Sequence, residues 1–190
     1  MKYADMNWGI MEAVVNKLGG TEGVGRFLSG ELVVTPFANA LKTWRTIKLG
    51  TGLETEVDFF NALRKSHCGI GDFAREMIGD VKSKAESEVE LIVLSGDELG
   101  YKNCYIQHVY DRAVKLGLDL CPAEVGPQLR LQYADQPEGE EIFIAMNPIV
   151  DSERRHRIFC LSCTDGRRRL DSELYATLNS ECRLIFRRRK

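Results

Sequence analysis

The amino-acid sequence predicts an α+β fold: a helical N-terminal region followed by a mostly antiparallel sheet with one packed helix. Three observations carry that expectation. Over residues 1–80 apolar side chains recur at helical spacing, residues 80–88 (DVKSKAESE) are polar and aperiodic, and over residues 88–190 short apolar runs and alternating stretches of strand length take over. The expected division is a mostly helical region at 1–80 and an α+β region at 88–190 joined by a linker, with one continuous domain as the alternative. At 190 residues and 44% hydrophobic content the chain can bury a core. Aromatic and β-branched residues are spread along its length, unlike the composition of intrinsic disorder.

Asp5 is the expected N-cap of a first helix whose apolar residues Trp8, Met11, Val15 and Leu18 share one face. Gly19-Gly20 ends it. Thr21 starts a short second helix with Val24, Phe27 and Leu28, which Gly30 closes before the β-prone run Leu32-Val33-Val34 and a loop around Pro36. Trp44 to Leu49 reads as extended and Gly50-Thr51-Gly52 as a turn. Thr55 with Asp58 three residues on forms a capping-box pattern, opening a helix with Phe59, Phe60 and Leu63 on one face. A further helix is expected from Asp72 to Ile78, stopped by Gly79.

In the second half, Leu91-Ile92-Val93-Leu94 has the length of a buried strand, and a helix is expected from Asn103 to Leu116, ended by Gly117. Four more strands are expected at Gln128–Tyr133, Glu141–Asn147, Arg157–Cys163 and Cys182–Arg187. In the first, Leu129, Leu131 and Tyr133 alternate with Gln128, Arg130 and Gln132, the pattern of a sheet with one wet face. Residues 134–139 then read as a hairpin loop to the second.

The run from Leu116 to Tyr133 (LGLDLCPAEVGPQLRLQY), followed by Asp135-Gln136-Pro137, resembles a group of small uncharacterised bacterial proteins. The stretch from Asn16 to Val24, with Arg26-Phe27-Leu28-Ser29-Gly30, is similar to the N-terminal hallmark of the same group. The resemblance implies a bacterial, cytosolic setting and assigns no activity and no catalytic residue. The residues agree with that setting: Met1 to Asp5 lack the features of a secretory signal, and no apolar run approaches the roughly 20 residues of a membrane span. The expected localisation is cytoplasmic, with no membrane association. The six cysteines (Cys68, Cys104, Cys121, Cys160, Cys163, Cys182) are expected as reduced thiols.

The charge is asymmetric. Residues 151–190 carry 11 Lys+Arg against 6 Asp+Glu, whereas residues 1–150 carry 15 against 22, so a net charge of −2 conceals a basic C-terminal end. Three clusters make it: Arg154, Arg155 and Arg157 around His156; Arg167, Arg168 and Arg169; and Arg187, Arg188 and Arg189 before Lys190. Two of them converging on one rim of a sheet would make a surface for a nucleic acid or an acidic protein. The competing reading is internal: arginines at strand ends guard the edges and pair with the acidic part of the same chain.

Catalytic signals are sparse. Cys104, His108 and Asp111 would form an outward stripe on the expected helix, opposite Ile106, Val109, Tyr110 and Ala113, and are the one candidate nucleophilic set. Cys160 and Cys163 have a C-x-x-C spacing, but they lie in an expected strand with no glycine between them, unlike a zinc knuckle. Cys104, His108, Cys121, His156 and Cys182 are loose further ligand candidates. The glycine-rich stretches at 19–30 and 50–52 match neither a phosphate loop nor a dinucleotide fingerprint, and no cofactor is expected. A helix-turn-helix reading of the first two helices is weakened by glycines in the second, Glu22–Leu28, which has only Arg26 to offer.

The sequence therefore points to a non-enzymatic binding or regulatory module with a basic C-terminal surface. The alternatives are a small cysteine- or metal-dependent enzyme and a structural protein that oligomerises through its helical region.

Overall fold

The structure, a computed structural model, describes residues 7–32, 41–83 and 85–189. The chain divides into two compact units, residues 1–36 and 37–190. In the first unit, helix α1 (Trp8–Leu18) is capped by Asn7, whose side chain accepts the Ile10 N–H at 3.0 Å. The expected cap, Asp5, lies outside the described residues, as do residues 33 to 40. Gly19 (φ 91°) ends α1 in the left-handed region and leads into α2 (Gly20–Leu28). A side chain at position 23 would place its Cβ 1.6 Å from the Leu18 carbonyl oxygen, so glycine is what lets the two helices meet there. No residue of α1 is buried, and Trp8 is 84% exposed.

The second unit is built on a mixed sheet of strands β1 (Arg45–Leu49), β2 (Gly69–Ile70), β3 (Ser87–Ser95), β5 (Leu118–Asp119), β6 (Glu141–Ile144), β7 (Ile149–Val150), β8 (His156–Thr164), β9 (Arg167–Leu174) and β11 (Arg183–Arg188). Its main path runs β1-β3-β11-β6-β8-β9-β2, with β5 added to β11 and β7 to β8. Strands β4 (Asn103–Tyr105) and β10 (Thr177–Asn179) form a separate antiparallel pair. The fold is α+β as expected, but the sheet is not uniformly antiparallel, since β6 runs parallel to β11 and β2 parallel to β9. Between β6 and β11 the chain forms β7 to β10, long enough to bring β11 back in the same direction.

The dense polar stretch at 80–88 does not separate two domains. Strand β1 pairs with β3 across it, residue for residue from Arg45–Leu91 to Leu49–Ser87, Val81 is buried, and β3 has begun by Ser87. Helices α3 (Glu56–Lys65) and α4 (Asp72–Gly79) precede that stretch and belong to the same unit as the sheet. Thr55 and Asp58 form the expected capping box of α3, with Thr55 N–H donating to Asp58 at 2.9 Å and Asp58 N–H to Thr55 at 3.2 Å. The helix expected from Asn103 starts later, as α5 (Ile106–Lys115), because residues 103–105 pair with β10.

The largest correction concerns Gln128–Tyr133, which is not a strand but most of helix α6 (Val125–Gln132), and residues 134–139 accordingly do not close a hairpin. Pro127 fits the first helical turn, where its missing N–H leaves no intrahelical bond unmade. Gly126 packs against the Phe159 ring, with room for no Cβ. The alternation over Leu129, Leu131 and Tyr133 does not report a wet face, because Gln128 and Arg130 are buried and hydrogen-bonded.

Helix α6 touches β1, at one end of the sheet path, and β8 and β9 towards the other, so the sheet curls around it. One face of the helix carries Glu124, Gln128 and Gln132 at four-residue intervals and closes the free edge of β1. Lys48 N–H donates to Gln132 Oε1 at 2.9 Å, Gln132 Nε2 donates to Lys48 O at 2.8 Å, Gly50 N–H donates to Glu124 at 2.8 Å, and Gln128 Nε2 donates to Thr51 Oγ1 at 2.8 Å. The glutamine amide of Gln132 thus makes the donor and acceptor contacts that a neighbouring strand would make.

Away from this face, Arg130 is 0% exposed. Its Nη groups donate to Gln136 Oε1 and Tyr133 O, and more loosely to Ser162 O at 3.5 Å and Arg169 O at 3.4 Å. Gln136 in turn donates to Glu140 O at 3.1 Å and Leu161 O at 3.2 Å. Replacing Arg130 by Ala orphans several buried oxygens, at about 1–3 kcal/mol each, and opens a cavity. Arg130→Ala is expected to lose at least about 3 kcal/mol of unfolding free energy in urea titration. A loss below about 1 kcal/mol would remove the structural role given to it.

Candidate anion-binding surface

The nine arginines expected to form a basic surface do not act together. In the β8–β9 hairpin Arg157 lies opposite Leu174 and Arg167 opposite Thr164. The Arg154–Arg157 cluster and the Arg167–Arg169 cluster therefore sit at opposite ends, about 24 Å apart at 3.4 Å per residue. Because β11 is parallel to β6 and β6 antiparallel to β8, the end of β11 with Arg187–Arg189 lies at the end of the sheet where β8 begins.

The first cluster is internal. Asp151, with a buried side chain, accepts from Arg157 Nε at 2.6 Å, Arg155 Nε at 3.1 Å, and the N–H groups of Arg155 at 2.8 Å and Glu153 at 2.9 Å. The guanidiniums of Arg157 and Arg155 lie 3.8 Å and 4.8 Å from the Phe73 ring centre, and Ser152 binds Glu76 of α4. Burial pushes the Asp151 carboxyl upward, but hydrogen bonds from Arg157 and Arg155 outweigh it and hold the group well below the usual carboxylate range. Of the arginines in this cluster only Arg154, exposed and at φ 62°, has no side-chain partner among the described residues.

The third cluster staples strands. Arg187 and Arg189 both reach Asp119 of β5, at 3.2 Å and 2.8 Å, while Arg188 binds Glu90 of β3 at 2.8 Å, Leu41 O at 2.7 Å and Thr43 Oγ1 at 3.1 Å. Nearby in sequence, Arg183 pairs with Glu140. Lys190 lies outside the described residues.

The middle cluster differs. Arg169 is paired with Asp171 at 2.8 Å, but Arg168 donates only to a neutral oxygen, Ser66 O at 3.2 Å, and Arg167 is exposed with no partner among the described residues. Arg168 stands beside a flank where β9 meets β2 and the ends of α3 and α4, whereas Arg167, the preceding residue of the strand, faces its other side. Gly69 pairs with Arg169 and Ile70 with Leu170. Arg64, Arg75, Phe60, Cys68 and Ile70 line a concavity of about 170 Å³ there. Neither Arg64 nor Arg75 has an ion pair or side-chain hydrogen bond among the described residues, and Arg75 rests on the Phe60 ring at 4.9 Å. Burial lowers the pKa of Arg130; Cys68 partly opposes that shift and the charge of Arg168 adds to it.

The sequence reading missed Arg64 and Arg75, which look like ordinary solvated helix positions, and it missed β9 itself. A signal for β9 was present: Asp165-Gly166 is a two-residue hairpin pair, and both residues adopt positive φ (52° and 67°). Glu138 accepts their N–H groups at 2.6 Å and 3.0 Å, and those bonds lower its pKa.

The candidate nucleophilic stripe does not form on one helix. Cys104 lies on β4 with its Cα opposite Leu178, whereas His108 and Asp111 are exposed on α5, where Asp111 binds Gln107 at 2.8 Å. Burial raises the pKa of Cys104, as it does for Cys121, Cys160 and Cys182, away from the thiolate form a nucleophile needs. Cys160 and Cys163 are both buried on the continuous strand β8, where residues three apart face opposite sides. Among the described residues no group of three or more His, Cys, Asp or Glu side chains is placed to hold a metal ion. In α2 the single arginine, Arg26, sits 3.9 Å from Glu31.

Two measurements check these assignments. The native carboxyl of Asp151 titrates below the ordinary aspartate value of about 3.9, so its stabilisation is complete above that pH and is lost as the pH falls. Asp151→Asn is expected to lower the melting temperature at pH 7 and to flatten its decline below about pH 4; parallel pH profiles for variant and parent would refute the assignment. With a disulfide reagent at neutral pH, Cys104 and Cys182, the two half-buried thiols, should react before the four buried ones and no faster than free cysteine. A thiol faster than free cysteine would revive the nucleophile.

No helix among the described residues is long and apolar enough to cross a membrane. Compared with protein-family models, curated proteins and solved structures, the chain matches none.

Proposed function

We propose that this chain is a cytoplasmic binding module whose partner is a nucleic acid, met by the flank where α3, β2, α4 and β9 come together. The observation that carries the reading is the contrast between arginine clusters: carboxylates neutralise Arg155, Arg157, Arg187 and Arg189, while Arg64, Arg75, Arg167 and Arg168 carry no carboxylate partner among the described residues. Of the residues first expected to bind, Arg168 keeps that role on the flank, and Arg167 borders it from the other face of β9. Arg64 and Arg75 join them, with Lys65 and His67 exposed beside them. Arg154 is free but stands at the far end of the hairpin. The arginines among these cations carry a planar guanidinium that offers paired donors to phosphate oxygens, and that of Arg75 rests over the Phe60 ring.

Fluorescence anisotropy of short labelled RNA and DNA, titrated through salt, tests this. Binding should weaken steeply with salt, and the double substitution Arg167→Ala, Arg168→Ala should lower the slope of log K against log salt by about 1.5. Arg187→Ala with Arg189→Ala should destabilise the fold and leave the slope unchanged. No binding at low salt rejects the nucleic-acid reading; if an acidic polypeptide then binds with the same loss on substitution, the flank serves a protein instead.

A further inference from the structure

We propose that the concavity between α3, β2 and α4 holds one tetrahedral oxyanion of the phosphate class, gripped by Arg64 and Arg75. This deepens, and rests on, the reading of the flank as anion-binding. The concavity measures about 170 Å³. At about 30 Å³ per water that is room for five or six waters, enough for a phosphate group, and it falls short of the roughly 300 Å³ at which pockets for larger ligands begin.

The lining contains two guanidiniums and no carboxylate: Phe60, Arg64, Cys68, Ile70 and Arg75 are all of it. The acids of the surrounding elements do not line the concavity, and Glu56 of α3 lies beside Gly79 at the end of α4. Asp58 is held in the capping box of α3, Glu76 binds Ser152, Asp171 binds Arg169, and Asp72 acts electrostatically on Arg169. Two further cations stand close without a carboxylate partner among the described residues: Arg168 on the Ser66 carbonyl, two residues from Cys68, and the fully buried Arg130, whose Nε has no acceptor. Like charges collected in this way repel one another, and an anion between them relieves the repulsion while accepting paired donors from each arginine. Phe60 fixes one wall of the site by seating Arg75 on its ring.

One chemistry has two sources, a free inorganic phosphate ion or the terminal phosphate of a nucleic acid. Isothermal titration of the full chain with inorganic phosphate, in a phosphate-free buffer, addresses the first. The second is addressed by the affinity of an oligonucleotide bearing a 5′-phosphate against the same oligonucleotide bearing a 5′-hydroxyl. The expected result is single-site phosphate binding that weakens about tenfold or more in Arg64→Ala and again in Arg75→Ala. Arg154→Ala, at the far end of the hairpin, should leave it unchanged. Preference for the 5′-phosphate, lost in Arg75→Ala, assigns the site to a nucleic-acid end; equal affinities with phosphate binding intact assign it to the free ion. Both substituted arginines are exposed, so the variants should fold, and their circular dichroism spectra should match the parent. The absence of both phosphate binding at millimolar concentration and a 5′-phosphate preference overturns the proposal, as does binding that persists in the double variant. Phosphate binding without any oligonucleotide binding would keep this site and reject the nucleic-acid reading alone.

Discussion

The second unit depends on a buried positive charge that no carboxylate among the described residues answers. Arg130 is fully buried, and its guanidinium donates to oxygens of Tyr133, Gln136, Ser162 and Arg169. Arginine does not lose its proton under ordinary conditions, so the charge must be solvated where it lies. Here the solvation comes from carbonyl and amide dipoles of the turn after α6 and of strands β8 and β9. A single side chain therefore fixes where the helix ends, how the chain leaves it, and how β8 and β9 stand to it. A lysine could not span these acceptors, because its three donors radiate from one atom.

The opposite face of α6 applies the same logic to β1. Gln132 bonds both the N–H and the C=O of Lys48, and Glu124 takes the Gly50 N–H. Together the two faces explain why the sheet curls: strands from both ends of its path are hydrogen-bonded to one short helix. The hydrophobic effect drives burial of Val125, Leu129 and Tyr133 against the core, but it is indifferent to register. The polar contacts set which residue meets which.

Much of the fold could be read from the sequence wherever local chemistry and tertiary context agreed. The capping box at Thr55 and Asp58, the helix stop at Gly19, the apolar run of β3 and the strands β6, β8 and β11 all carry signals that need no partner to interpret. Helix α6 was misread because its buried polar residues mimic a strand with one wet face; over so short a run, periods of 2 and 3.6 are hard to tell apart when polarity does not report exposure. Strand β9 was hidden by its arginines, since Leu170 is the one residue of it that is fully buried. The arginine clusters were legible as a charge asymmetry and not as a surface, because whether a guanidinium is free depends on carboxylates distant in sequence. Asp119 reaches Arg187 and Arg189 across 68 and 70 residues.

That distance dependence bears on why some arginines are left over. The chain holds 28 acidic against 26 basic residues, so carboxylates are not scarce. Many are fixed by other duties: Asp58 caps a helix, Glu138 holds the Asp165-Gly166 turn, Glu140 binds Tyr133 and Arg183, and Asp151 organises a loop and two arginines at once. Each of these carboxylates sits where the backbone needs an acceptor, and the arginines it meets are those the sheet brings alongside. Arg64 sits in the last turn of α3, away from that helix's first-turn acids Glu56 and Asp58, and Arg75 follows Asp72, the first-turn acid of α4, by three residues with no ion pair between them among the described residues. The positive flank is thus a product of topology: β2 brings the end of α3 against β9, where Arg168 meets the Ser66 carbonyl two residues after Arg64, and no carboxylate among the described residues pairs with either. Secondary structure fixes where the backbone presents these arginines, while their unpaired side chains keep rotamer freedom, and ordering them is part of what any anion bound there would have to offset.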